Sequence, residues 1–133
     1  MALYLLAGTL GGILFAVMDA LINANPLAVR LLSAYKPIAR PRVKIAAGII
    51  IDLAYGLILA ALFLFTSPLL TFAPVPLNGL LFGCGIWFLR VAMSALSNWM
   101  MFAVPFKAIA YQAISGLFEI LLLGVLYSLI LMR

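Results

Sequence analysis

Four charged side chains lie inside stretches that are otherwise apolar enough to cross a membrane. They are Asp19, Asp52, Arg90 and Glu119, one in each of four long apolar segments. A charge at the centre of a membrane helix costs about 2.5–3.5 kcal/mol on insertion scales, so such residues are usually paired or functional. Three carboxylates and a guanidinium can form ion pairs, exchange protons or hold a cation.

Arg90 and Glu119 are predicted to form an intramembrane ion pair. Arg90 lies 15 residues before Pro105, and Glu119 lies 14 residues after it. In a helical hairpin that turns at Pro105, both would lie at one height, roughly 22 Å from the turn at ~1.5 Å per residue. We favour a structural clamp that fixes the register of the two helices. The alternative is a gated proton or ion site, in which Glu119 exchanges Arg90 for a cation.

The other two carboxylates are predicted to lie nearer the ends of their spans. Asp52 comes seven residues after Ile45, and Asp19 is near the end of the first span. Together with Asn23 and Gln112, they would line a polar cavity that leads toward Arg90 and Glu119. In the alternative interpretation, the two carboxylates snorkel to the interface beside basic neighbours.

The elements that position these residues are predicted to be membrane helices. Of the 133 residues, 68% are hydrophobic and 8% are charged, which leaves too little polar surface to cover a soluble domain. A spanning helix needs about 20 apolar residues, and four such spans fit, at 2–22, 45–66, 79–103 and 108–132. The sequence therefore predicts an all-α membrane protein, a four-transmembrane-helix bundle formed by a single domain over residues 1–133.

Small residues share a helix face with the charged residues. The glycines expected at helix contacts are Gly8, Gly12, Gly79 and Gly83. Membrane helices pack through such small residues, so the charged faces should point into the bundle. A weak internal similarity, between residues 18–23 and residues 93–98, would make the bundle two repeated helical hairpins.

The basic residues outside the spans are distributed unevenly. Five lie in the first loop (residues 23–44) and Lys107 lies in the third loop, against Arg133 alone on the other side. The positive-inside rule then predicts that loops one and three are cytoplasmic and that both termini are not. We interpret loop one as a connector that lies along the membrane surface. A docking surface for a cytoplasmic partner or an acidic lipid is the alternative.

Composition argues against most catalytic chemistry. The chain has no histidine and a single cysteine, Cys84, so serine–histidine catalysis, disulfide redox chemistry and imidazole-held metal or haem have no basis in it. We expect no enzyme activity, no cofactor and no metal. The positive charge lies in short loops and indicates how the chain is oriented in the membrane. We therefore expect no nucleic-acid partner.

The favoured function is that of a non-catalytic integral membrane protein. It would be a small structural or accessory subunit of a membrane complex, or a homo-oligomer, whose partners are the lipid bilayer and either other membrane subunits or further copies of itself. The alternative is a small oligomeric channel or proton-coupled transporter that uses the intramembrane acids. A lipid-binding or lipid-modifying membrane protein is a third class, which we favour less.

Overall fold

The computed structural model describes residues 1–38, 44–70 and 73–132, which form helices and short connections without any strand. Four helical segments are long and apolar enough to cross a membrane: Ala2–Ala24, Ile45–Leu70, Val75–Met101 and Phe106–Leu131. The predicted all-α four-helix membrane bundle is confirmed, and the chain is an integral multi-pass membrane protein. The assignment of residues 1–133 to one domain stays a prediction.

The helices follow one another with short connections. They are α1 (Ala2–Ala24), α2 (Pro26–Leu31), a 3₁₀ helix (Leu32–Ile38), α3 (Ile45–Thr66), a 3₁₀ turn (Ser67–Leu70), α4 (Val75–Trp87), a π-helical turn (Phe88–Ala92), α5 (Met93–Met101) and α6 (Phe106–Leu131). The third span thus consists of α4, the π turn and α5. Proline stands in the first turn of α2 and α4, where its missing N–H leaves no helical hydrogen bond unmade.

The connector after α1 begins with α2 and continues as the 3₁₀ helix. Asn25 caps α2 by accepting a hydrogen bond from the N–H of Ala28 at 2.8 Å, and the chain then tightens into the 3₁₀ helix that ends at Ile38. Pro37 lies in that last segment, where it cannot donate to a continuing α-helix. Arg40, Arg42 and Arg133, all counted in the charge bias, lie outside the described residues.

The bundle is built from two helical hairpins, since α1 packs most extensively on α3, and α4 on α6. Each hairpin crosses at glycines. A Cβ added to Gly56 of α3 would lie 2.6 Å from the Cα of Gly12, and one added to Gly124 of α6 would lie 3.2 Å from the backbone nitrogen of Gly83. Because the backbones approach so closely, only glycine fits these crossings without a shift.

A buried aromatic cluster joins the two hairpins in the half of the bundle nearer the connection between α3 and α4. The rings of Phe63 and Phe82 meet edge to face with centroids 5.1 Å apart. Tyr127, fully buried, donates its hydroxyl to the carbonyl of Gly56 at 2.9 Å. This cluster (Phe63, Phe82 and Tyr127) packs side chains of both hairpins together in that half of the bundle.

Candidate functional site

A polar cleft of about 260 Å³ lies in the half of the bundle nearer loops one and three. It is bounded by the end of α1, by the π turn and α5, and by the first half of α6. The polar and charged lining residues are Asp19, Asn23, Arg90, Ser94, Asn98, Gln112, Ser115 and Glu119. Three helices thus bring together charged and amide-bearing side chains that are far apart in the sequence.

Arg90 projects from the middle of the π turn. A π turn holds one residue more than an α turn, is rare, and occurs often at functional sites. The guanidinium carbon of Arg90 lies 4.2 Å from the ring centroid of Tyr55 and 4.8 Å from that of Phe15, and these two rings are 5.4 Å apart. Such cation–π contacts contribute about 0.5–2 kcal/mol each. The guanidinium is therefore held by aromatic faces from α1 and α3.

Glu119 is the buried acid of the cleft, with 6% of its surface exposed. Its Oε1 atom has no hydrogen-bond partner in the described part of the chain. Arg90 and Glu119 line the same cleft, but the two make no direct ion pair among the described residues. The geometry brings the predicted partners to one site without joining them, and their pairing stays a prediction.

The predicted polar cavity is partly assembled. Asp19, Asn23 and Gln112 line the cleft, whereas Asp52 is absent from its wall. Asp52 is half-buried at the crossing of α3 with α1, where its carbonyl oxygen would lie 3.0 Å from a Cβ added to Gly12. Asp52 stands three residues before Tyr55, the ring beneath Arg90. Its predicted part in a cavity stays a prediction.

Two tyrosines tie the connector after α1 to α6 beside the cleft. Tyr35 donates its hydroxyl to Oε1 of Gln112 at 3.0 Å. Burial raises the pKa of Tyr35 above its ordinary value, so the hydroxyl stays protonated under alkaline conditions in which a free tyrosine begins to ionise. Tyr111 accepts a hydrogen bond from the side-chain amide of Asn25 at 2.7 Å and donates to the carbonyl of Ile22 at 2.6 Å. The connector is thus fixed across one end of the cleft.

Sequence reasoning did not identify the aromatic support of Arg90 or the tyrosine ties. A signal for the first was present, because Phe15 and Tyr55 share helix faces with Asp19 and Asp52 at spacings of four and three residues. Nothing in the spacing of Tyr35 or Tyr111 indicated a partner, since both contacts depend on how the connector folds back on α6.

The arrangement can bind a small polar or positively charged group. Glu119 and Asp19 supply two carboxylates against one guanidinium, and the amides and hydroxyls around them can donate or accept hydrogen bonds. In the described part of the chain, no three histidine, cysteine or acidic side chains come together to hold a metal ion. Comparison of the chain with protein-family models, with curated proteins and with solved structures finds no match.

Proposed function

We propose that this membrane protein is a small channel or carrier that admits a cation or a proton through the cleft to Glu119. The carboxyl oxygen of Glu119 without a hydrogen-bond partner is the observation that carries the proposal. Leaving a buried acceptor unsatisfied costs about 1–3 kcal/mol, and more when it is charged. A ligand that donates to this oxygen recovers that free energy, whereas a purely structural clamp would already satisfy it.

The charges of the cleft favour a positive ligand. With Asp19 and Glu119 ionised and Arg90 protonated, the lining carries a net charge of −1. Because the guanidinium is stacked on Phe15 and Tyr55, it leaves Glu119 free to bind. A swing of Arg90 toward Glu119 would replace the bound cation, and the π turn supplies a backbone that can change its hydrogen bonding during that motion.

The aromatic cluster supports a carrier more than an open pore. Phe63, Phe82 and Tyr127 close the bundle beyond Glu119, so one copy in this conformation offers entry from one end. Passage to the other side then requires the two hairpins to move against each other. We therefore favour a carrier that opens at its hairpin seam, with Glu119 exposed alternately to the two ends.

Proton and cation flux into liposomes that contain the purified chain tests this proposal. We expect Glu119→Gln to lower the flux at least about tenfold, because the neutral amide removes the charge that attracts the cation. Asp52→Asn makes the same chemical change outside the cleft wall and should retain most of the flux.

Equal gel-filtration profiles for wild type and both variants would show that assembly is intact. Wild-type liposomes without cation or proton flux, or undiminished flux through Glu119→Gln, would refute the proposal.

An accessory subunit is the second candidate, and an apolar groove favours it. The groove lies between α5 and α6, has a volume of about 520 Å³, and includes Ala95, Ala110 and Ala113 among its lining residues. Small residues let the backbone of a neighbouring membrane helix approach closely. In this candidate, a helix of another subunit or of a second copy would occupy the groove.

The mass of the complex extracted gently from its native membrane tests the second candidate. A foreign subunit in fixed stoichiometry, lost when Ala113→Phe fills the groove, would support it. Ala54→Phe is the matched control, because Ala54 is exposed on α3 and does not line the groove. A chain that is extracted alone as a monomer would exclude the accessory candidate.

A further inference from the structure

A second groove lies between α2 and the first half of α6. It has a volume of about 600 Å³, and its residues are Leu27, Arg30, Leu31, Lys107, Ala110, Tyr111 and Ile114. We propose that this groove binds an anionic phospholipid, with the phosphate between Arg30 and Lys107 and one acyl chain along the apolar wall. The inference is independent of the transport proposed for the cleft.

The two basic residues are brought to the groove by a fixed framework. Arg30 lies in the last turn of α2, whose start is capped by Asn25 and whose Ala28 is fully buried. Lys107 is the second residue of α6, which begins at Phe106. Asn25 in turn donates to Tyr111 of α6 at 2.7 Å. Two cations from different helices therefore line one groove because of the fold and not because they are neighbours in sequence.

The charge of the groove points to an anion. Its lining contains Arg30 and Lys107 but no aspartate or glutamate, and neither cation forms an ion pair within the described ranges. Both residues are exposed and lie where α2 and α6 meet the expected headgroup level. Basic pockets between membrane helices at that level are suited to acidic lipid headgroups.

The apolar wall distinguishes a lipid from a free anion. Leu27 is 56% exposed and Ile114 is 58% exposed, and Ile114 lies two turns deeper in α6 than Lys107. An acyl chain that descends from the phosphate would cover both side chains. Inorganic phosphate would use only the two cations and would leave this wall unoccupied.

Titration of the full chain with phosphatidylglycerol, in nanodiscs of phosphatidylcholine and read by native mass spectrometry, tests the site. Each basic residue near a membrane surface contributes about fivefold in affinity for acidic lipid. Arg30→Gln and Lys107→Gln should each weaken binding by about that factor, and the double variant by about 25-fold. Lys107→Arg keeps the charge and should retain binding.

Lys36→Gln is the matched control, because Lys36 is an exposed basic residue of the same connector that does not line the groove. Its binding should stay within about twofold of wild type, since distant exposed charges are screened. Equal loss in Lys36→Gln would replace the proposed site with a diffuse charge effect. Equal binding of phosphatidylcholine, or displacement of the lipid by inorganic phosphate or by an acidic peptide at similar concentrations, would overturn the proposal.

Discussion

Arg90 lies against two aromatic rings within a membrane span and forms no direct ion pair in the described part of the chain. The rings of Tyr55 and Phe15 lie 4.2 and 4.8 Å from its guanidinium carbon, and Glu119 in the same cleft keeps an unsatisfied oxygen. Ring faces attract a cation while leaving it able to exchange partners, because they impose no directed hydrogen bond. The guanidinium of Arg90 can therefore exchange its aromatic contacts for a contact with a carboxylate.

Replacing Tyr55 should show how much the cation–π contact contributes to the stability of the fold. We expect Tyr55→Leu to lower the free energy of unfolding by about 0.5–2 kcal/mol through loss of the cation–π contact. Tyr55→Phe keeps the ring face and should have a smaller effect. The measurement is thermal unfolding in detergent of Tyr55→Leu, Arg90→Gln and the double variant.

The double variant isolates the contact between the two residues. If Arg90 and Tyr55 interact, the double variant loses less stability than the sum of the two single variants. Strictly additive losses would show that the stacking contributes nothing to stability. Tyr55→Leu also bears on the predicted ion pair. Without the ring of Tyr55, the guanidinium of Arg90 is freer to approach the carboxylate of Glu119.

At the scale of the helices, the hairpin crossings are the tightest contacts. A Cβ at Gly124 would lie 3.0 Å from the carbonyl carbon of Gly79 on its own hairpin partner. Backbone cannot move aside as a flexible side chain can, so the helices would have to separate. The sequence indicated these faces through glycines that recur at helical spacing, but it did not indicate that Gly56 and Gly124 are the positions opposite them.

Alanine substitution at the crossings therefore has a clear expected result. Gly124→Ala should destabilise the fold by about 1–3 kcal/mol through overpacking. Gly85→Ala is the control, since an added Cβ there meets nothing within 4 Å and alanine favours the helix by about 1 kcal/mol. Unfolding in graded denaturant measures both. A Gly124→Ala protein as stable as wild type would mean that the crossing is looser than described.

The π turn is an element that regular periodicity cannot predict. Our sequence interpretation treated the third span as one α-helix, whereas residues Phe88–Ala92 hold an additional residue. One extra residue rotates the side chains that follow it by about 100° relative to an uninterrupted helix. Hydropathy found the span because apolar length is a local property, but the turn depends on how Arg90 packs against α1 and α3.

Deleting Leu89, which is 71% exposed, tests the turn directly. The deletion should convert the π turn to an α turn and leave the flanking helices facing their present neighbours. We expect a folded protein that has lost flux because Arg90 no longer reaches the rings. Deleting Ile58, an exposed residue within regular α3, is the control and should prevent folding, because it rotates the buried Leu59 and Phe63 away from their present contacts. If both deletions prevented folding to the same extent, the π turn would not hold an additional residue that the fold can lose.

For the whole molecule, spans and bundle followed from length and apolarity, while the cleft did not. Composition predicted the membrane spans, and the positions of the charged residues placed them within those spans. Helical spacing predicted that Asp19, Asn23 and Gln112 face the interior of the bundle. Asp52 lies outside the wall of the cleft because of the rotation of α3 at its crossing with Gly12. Helical spacing within one segment does not predict that rotation. The orientation in the membrane stays a prediction based on the distribution of basic residues.

Cysteine labelling tests that orientation. In a Cys84→Ser background, we expect Leu69→Cys to react with an impermeant maleimide in intact cells and Lys36→Cys to react only in inverted vesicles. The reason is the excess of basic residues in loops one and three, which are retained on the cytoplasmic side. Lys36 and Leu69 are both exposed, so access depends on the side of the membrane. The reverse labelling pattern would overturn the predicted topology.

The glycine crossings also bear on how the protein responds to force. Within each hairpin, backbone touches backbone, and lipid cannot enter to replace those contacts. Between the hairpins, α1 contacts α6, whereas α3 and α4 share less, so the seam is the weaker boundary. When the chain is pulled from a bilayer, it should leave in two steps, one hairpin at a time. By the same reasoning, the connection between α3 and α4 is where a cut chain would still reassemble, from two halves that insert independently.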